Sequence, residues 1–292
     1  MSSIPFKQVD VFTGVRYRGN PVAVVVNAHG LTSEQMQQIA NWTNLSETTF
    51  VLPATDSRAD YRLRIFTPNS ELPFAGHPTI GTAHALLEAG LVQATGGTLI
   101  QECGAGLVQL RIAFEKTGQQ WISFELPSPA FTPLDVHQVD ELETILGKSL
   151  CRQFNPQLVD VGARWIVAQL DSAEAVLTVR PDFQRMKKQD VAAKATGVVV
   201  FGEHDRNHTA RIEVRAFAPA QGVNEDPVCG SGTGSVGAFI NQTGQVNHFG
   251  TEFLASQGAA VGRAGLLYLN LGSANVHVGG MAVTCIDGQL IV

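Results

Sequence analysis

Residues 224–237 read NEDPVCGSGTGSVG, which places two acids, a thiol and a run of small residues in one turn. Three chemistries suit such a stretch: Cys229 as nucleophile or base, a phosphate cradle, or a helix start that holds an anion without using the thiol. Residues 75–81, AGHPTIG, have the same character. The first turn of a helix leaves backbone N–H groups without intrahelical partners, and with the helix dipole they attract a carboxylate. Glycine lets a ligand approach the backbone, and Pro78 suits a first turn, where its missing N–H does no harm. Gly232, Gly234 and Gly237 also spell G-x-G-x-x-G, but that dinucleotide fingerprint requires a strand directly before it. Here the expected strand RIEVRAF ends at Phe217, APAQGVNEDPV intervenes, and no lysine follows as in a P-loop. Nucleotide binding is therefore not expected.

Taken locally, the other candidates have plain readings beside the chemical ones. Glu47, in NWTNLSETTFVL, reads first as a solvated acid at a strand entrance, and His77 as a structural or capping histidine. Asp226 precedes Pro227, where an acid serves as a turn or cap residue. His204 and His208 share a polar loop with no third ligand in view. Cysteines 103, 151, 229 and 285 form no C-x-x-C pair, so neither a metal site nor a disulfide framework is expected.

The elements that must position these residues are mostly strands. FKQVDVF alternates around Val9 and Val11, PVAVVV is a buried run, and RLRIF points Leu63 and Ile65 to one side. Residues 31–41 are expected as a helix with a Thr32/Gln35 capping box and a Leu31/Met36 staple, and residues 79–89 as a second helix stopped by Gly90. The two halves rhyme: VDV recurs at 9–11 and 159–161, RIFTP at 64–68 matches RAFAP at 215–219, and AGHPTIG at 75–81 matches CGSGTGS at 229–235. Three fragments in one order at nearly one offset imply a duplication. Strand–helix alternation of the doubly wound kind is absent, so the expected class is α+β, with two similar domains and the site between them. Prolines interrupt the pattern over 126–136, which divides the chain into 1–128, joined by a C-terminal strand at 278–292, and 129–277.

The 292 residues are enough for two cores, and a composition of 44% apolar and 16% charged residues is globular. A net charge of -6 argues against non-specific nucleic-acid binding. The opening MSSIPFKQVDVF has no basic or apolar leader region, and no apolar run is long enough to span a bilayer. A cytoplasmic protein with free thiols and no membrane partner is the expectation.

VDVFTGVRYRGNPVAVV, NLSETTFV, FTPNSELPFAGHPTIGTAHAL, NEDPVCGSG and SQGAAVGR occur in the order and spacing of the PhzF phenazine-biosynthesis-like family. The chain resembles that family from about residue 6 to VGGMAV near its end. The resemblance implies a diaminopimelate-epimerase-like fold of two pseudo-symmetric domains, each a mixed β-sheet barrel around a central helix. It also implies cofactor-free isomerase chemistry on a small-molecule carboxylate, and a homodimer. Carried over by motif, the catalytic glutamate of the family falls on Glu47, and its histidine, aspartate and serine on His77, Asp226 and Ser231. GNP places Gly19 and Asn20 near the substrate, and Gly76 and Gly230 open the two helix starts expected to hold its carboxylate. Related epimerases use two thiols, whose places here are Ala75 and Cys229. Family members often carry threonine at 229, so the chain departs there toward the epimerases, yet Ala75 cannot be a second thiol. The expected function is an isomerase that moves a proton with Glu47, Cys229 standing beside the substrate. The alternatives are a one-thiol epimerase or racemase pairing Cys229 with Glu47, and a non-catalytic binding protein that kept the fold.

Overall fold

The strand Tyr61–Phe66 shows the alternation at work: Tyr61, Leu63 and Ile65 are buried, while Arg62 and Arg64 are half-buried. A period of two gives such a strand one face for the core. In the computed structural model, residues 3–114, 118–273 and 275–292 are described. Two compact units result, one comprising the chain up to Glu125 with the return segment Gly279–Val292, the other Leu126–Val278.

In the first unit the ladder runs through Ala282–Ile291, Ser3–Val11, Asn20–Val25, Thr48–Leu52, Tyr61–Phe66, Thr98–Cys103, Gly106–Phe114 and Gln120–Glu125. Two steps are parallel. Asn20–Val25 joins Thr48–Leu52 by way of the helix Ser33–Thr43, and Tyr61–Phe66 joins Thr98–Cys103 by way of the helix Gly76–Glu88. The latter helix touches strands at both ends of the ladder as well as its middle, so the sheet curls around it. It is buried on every side and small-sided to match. A Cβ on Gly81 would come within 2.4 Å of the Val22 side chain, so the helix approaches the sheet more closely than alanine would allow.

The second unit repeats the plan. Its ladder runs through Ala130–Pro133, Gln157–Asp160, Arg164–Gln169, Gly197–Glu203, Ile212–Ala218, Glu252–Gln257 and Gly265–Leu271. Its two parallel steps fall at the corresponding places, and its buried central helix is Gly230–Gln242. Helices Ser33–Thr43 and Phe183–Ala193 correspond in the same way, and each packs on one face of its sheet, through Met36 and Ala40 in one case and Met186 in the other. The architecture is α+β with a duplicated, pseudo-symmetric topology.

Two helix boundaries differ from the sequence reading. The first helix is Ser33–Thr43 rather than 31–41: the Thr32/Gln35 capping box sets its start, and Asn44 ends it at φ 54°. The second is Gly76–Glu88 rather than 79–89, because Pro78 lies in the first turn, where no intrahelical N–H is called for. The G-x-G-x-x-G glycines lie inside the helix Gly230–Gln242. Gly234 and Gly237 make room for Leu126 and Leu271, which a Cβ would meet at 2.4 and 3.0 Å. Their role is packing. Among the described residues no helix is long and apolar enough to cross a membrane.

Candidate active site

Each unit carries its own cluster, built at the N-terminus of its central helix. In the first unit Glu47 stands one residue before the strand Thr48–Leu52, and its carbonyl accepts from the Ala23 N–H at 3.4 Å. The parallel pairing of Asn20–Val25 with that strand thus fixes the Glu47 backbone. Its side chain is only 16% exposed, and Oε2 lies 3.3 Å from Nε2 of His77, the second residue of the central helix. The two are within ion-pair distance but off hydrogen-bond alignment. Burial pushes the Glu47 carboxyl up from 4.5 to about 7, against a smaller downward pull from a Ser46 hydrogen bond. A carboxyl at that value exchanges its proton readily near neutral pH.

Asn20 is buried at the head of its strand, opposite Val11, with Nδ2 3.5 Å from His77 Nδ1. An amide N–H donated to Nδ1 leaves the imidazole proton on Nε2, toward Glu47. Gly19 precedes Asn20 in a place where a Cβ would lie 2.2 Å from the Val11 carbonyl oxygen, and at Gly76 a Cβ would lie 2.7 Å from the Phe124 ring. The sequence reading assigned the small size of Gly76, at a helix start, to ligand approach, and placed Gly19 near the substrate by family resemblance. In the structure the missing Cβ of Gly19 and of Gly76 makes room for the protein's own atoms.

In the second unit Asp226 closes the strand Val223–Asp226 and accepts from the Val228 N–H at 3.1 Å, a turn around Pro227. Glu225, just before it, is clamped by Arg215 through two short bonds, 2.8 and 2.7 Å, in a nearly buried pair. Buried Gln257 ties the turn to the helix: Nε2 donates to the Asp226 carbonyl at 2.9 Å, and Oε1 accepts from the Cys229 N–H at 3.0 Å and the Thr233 hydroxyl at 3.3 Å. Cys229 is the N-cap of Gly230–Gln242, its sulfur accepting from the Gly232 N–H at 3.3 Å. Cys229 is 5% exposed, and burial, reinforced by Asp226, raises the pKa of its thiol well above the ordinary value. That opposes a thiolate role. Gly230 is buried at the helix start, and Ser231 beside it is half-buried, with the Trp165 indole N–H 3.0 Å from its Oγ.

The structure therefore brings Gly19, Asn20, Glu47, Gly76 and His77 together in one unit, and Asp226, Cys229, Gly230 and Ser231 together in the other. Two participants were missed: Gln257 lies in the SQGAAVGR motif, and Trp165 carries only the general signal that a buried indole N–H needs an acceptor. His204 stacks on His208 and contacts Glu213 at 3.2 Å. Among the described residues no group of three or more His, Cys, Asp or Glu side chains is placed to hold a metal ion.

A family model described as phenazine biosynthesis-like protein, PhzC-PhzF, matches residues 9–288. The chain is 44% identical over 300 residues to "Antisense-enhancing sequence 1" of Schizosaccharomyces pombe, covering all of both proteins. It is 33% identical over 292 residues to the trans-2,3-dihydro-3-hydroxyanthranilate isomerase of Pseudomonas chlororaphis, covering 97% of this chain and 98% of that one. The crystal structure of a Bacillus anthracis phenazine biosynthesis protein of the PhzF family matches with a TM-score of 0.88 at 25% identity, over the whole of both chains. The chain belongs to the phenazine biosynthesis-like PhzC-PhzF family of isomerases.

Proposed function

We propose that the chain is a cofactor-independent isomerase that moves a proton between two carbons of a small carboxylate-bearing substrate, with Glu47 as the sole acid–base. The observation that carries this reading is the Glu47 carboxyl itself, poised near pH 7 by burial and set 3.3 Å from His77. Ionised Glu47 takes a proton from one carbon, the electron pair passes into the conjugated system, and the protonated acid returns a proton to another carbon on the same face. Nothing is oxidised, and no group leaves. His77 and Asn20 hold polar groups of the substrate and balance its charge, with the backbone at Gly76 beside them; in the second unit Asp226, Ser231 and the backbone at Gly230 form a substrate-binding cluster suited to a carboxylate.

A one-thiol epimerase is less well supported. Inversion at one carbon calls for groups on opposite faces, Ala75 has no acid–base function, and the Cys229 thiol is held protonated. An acidic chain of net charge -6 also suits a small-molecule site better than a nucleic-acid surface. The substrate proposed first is trans-2,3-dihydro-3-hydroxyanthranilate, for which relatives at 33% identity are named. NMR of that compound with the purified protein in D₂O tests the proposal. Isomer formation with deuterium at the receiving carbon is expected. An unchanged spectrum would reject this substrate, and a screen of carboxylate metabolites by shift in melting temperature would then decide whether the carboxylate class stands. A homodimer is part of the same proposal, and sedimentation equilibrium tests it.

A further inference from the structure

Ser231 Oγ and Trp165 Nε1 are 3.0 Å apart. An indole N–H donates and cannot accept, so the serine oxygen is the acceptor and its own proton must go elsewhere. Within hydrogen-bonding reach lies Cys229 Sγ at 3.6 Å, a weak acceptor that already takes the Gly232 N–H. Trp165 is 2% exposed and is fixed in the strand Arg164–Gln169, opposite Val159 on one side and Gly197 on the other. Ser231 remains half-buried, open enough to meet a ligand. A serine free to rotate could give or receive a hydrogen bond. One whose lone pair is taken by a rigid indole keeps a second lone pair, but its O–H is held pointing away from the ring.

We propose that Trp165 is a positioning residue for substrate recognition: by occupying one of the two lone pairs of Ser231, it restricts rotation of the hydroxyl and turns its O–H away from the ring, toward a ligand oxygen. The second unit then favours a substrate oxygen that accepts, a carboxylate oxygen above all. A carboxylate oxygen displaces sulfur as the acceptor because hydrogen bonds to charged oxygen are the stronger kind. Until substrate arrives, Ser231 Oγ has Cys229 Sγ as its neighbour at 3.6 Å. The inference rests on Ser231 being a substrate-binding residue, as proposed above.

The hydrogen bond is testable without substrate. The protein has three tryptophans, so Trp165→Phe identifies the Trp165 indole signal in a ¹⁵N-labelled spectrum. Ser231→Ala should then shift that signal and speed its hydrogen exchange. For the ligand, anthranilate serves as the carboxylate probe and 2-aminobenzyl alcohol as its hydroxyl counterpart. Trp165→Phe should weaken anthranilate binding by roughly 3- to 10-fold, the range for one net hydrogen bond, weaken the alcohol's binding by less, and add nothing in a Ser231→Ala background. An indole signal indifferent to Ser231→Ala would overturn the proposal. So would equal weakening for both probes, or a wild-type protein that binds the alcohol as well as it binds anthranilate or binds anthranilate not at all. Should Trp165→Phe fail to fold, Ser231→Ala alone still gives the indole and probe comparisons. Probe binding needs no proton transfer, so a failed acid–base role for Glu47 would show only in turnover and leave these results standing.

Discussion

Replacing Glu47 by Gln should make the protein more stable above neutral pH, by an amount the burial of the carboxyl sets. Unfolded, Glu47 titrates near 4.5; folded, near 7, because burial disfavours the anion. Below about pH 4.5 the group is neutral in both states and has no effect on stability. As the pH rises from 4.5 to 7 the unfolded chain releases its proton while the native one keeps it, so native stability falls, and the loss is complete above 7. The gap between 4.5 and about 7, at about 1.4 kcal/mol per pH unit, amounts to about 3 kcal/mol. Glutamine keeps the shape and has no proton to lose, so the variant escapes that loss. Urea unfolding of both proteins at pH 4.5, 6, 7 and 8.5 measures it, and the difference between them cancels other groups raised to about 7, Asp190 and Glu213 among them. The expected difference is near zero at pH 4.5 and grows to about 3 kcal/mol in favour of Glu47→Gln at pH 8.5. A difference that stays flat with pH, or that favours the wild type at high pH, would refute the claim that Glu47 is desolvated in the native state.

Cys229→Ser should keep turnover within about threefold, since a serine oxygen can replace sulfur as the N-cap acceptor; a loss of ~10²-fold or more with the fold intact would move the chemistry to the thiol. Gly81→Ala should lower stability by about 1–3 kcal/mol, because the new Cβ would meet Val22 at 2.4 Å; chemical denaturation checks it, and an unchanged midpoint would mean the helix can move away. Gln257→Leu leaves the buried Cys229 N–H and the Asp226 carbonyl without their side-chain partner and should cost about 2 kcal/mol or more, with a rise in KM as the turn that carries Asp226 loosens.

The fold class was legible because its signals are local and come twice. Alternation in RLRIF, the Thr32/Gln35 capping box and the matched RIFTP and RAFAP fragments each depend on a few neighbouring residues, and the topology repeats in the same order. Helix ends were less legible. Gly76, His77 and Pro78 are weak helix formers, so the pattern suggested a later start, yet a first turn tolerates all three. At the site, only the family resemblance singled out Glu47 and His77, and the proximity of two residues thirty apart in sequence is a product of the central helix starting beside the head of a strand. The environment that moves the Glu47 carboxyl toward 7 has no local signature at all: the same SETTF read as a solvated acid. Gln257 and Trp165 escaped for the same reason. Their partners lie 28 and 66 residues away, and nothing in the surrounding residue types marks such a bond.

The central claim is that one carboxylate, Glu47, carries the proton. Its most direct test is single-turnover kinetics of Glu47→Gln beside the wild type, on the substrate that the D₂O experiment identifies, with binding measured separately. Binding should stay within about threefold while turnover falls by at least ~10²-fold. In D₂O the wild-type product should carry deuterium at the receiving carbon, but less than fully, because in part of the turnovers the abstracted proton stays on Glu47 between the two steps. Near-normal turnover by Glu47→Gln would contradict the account.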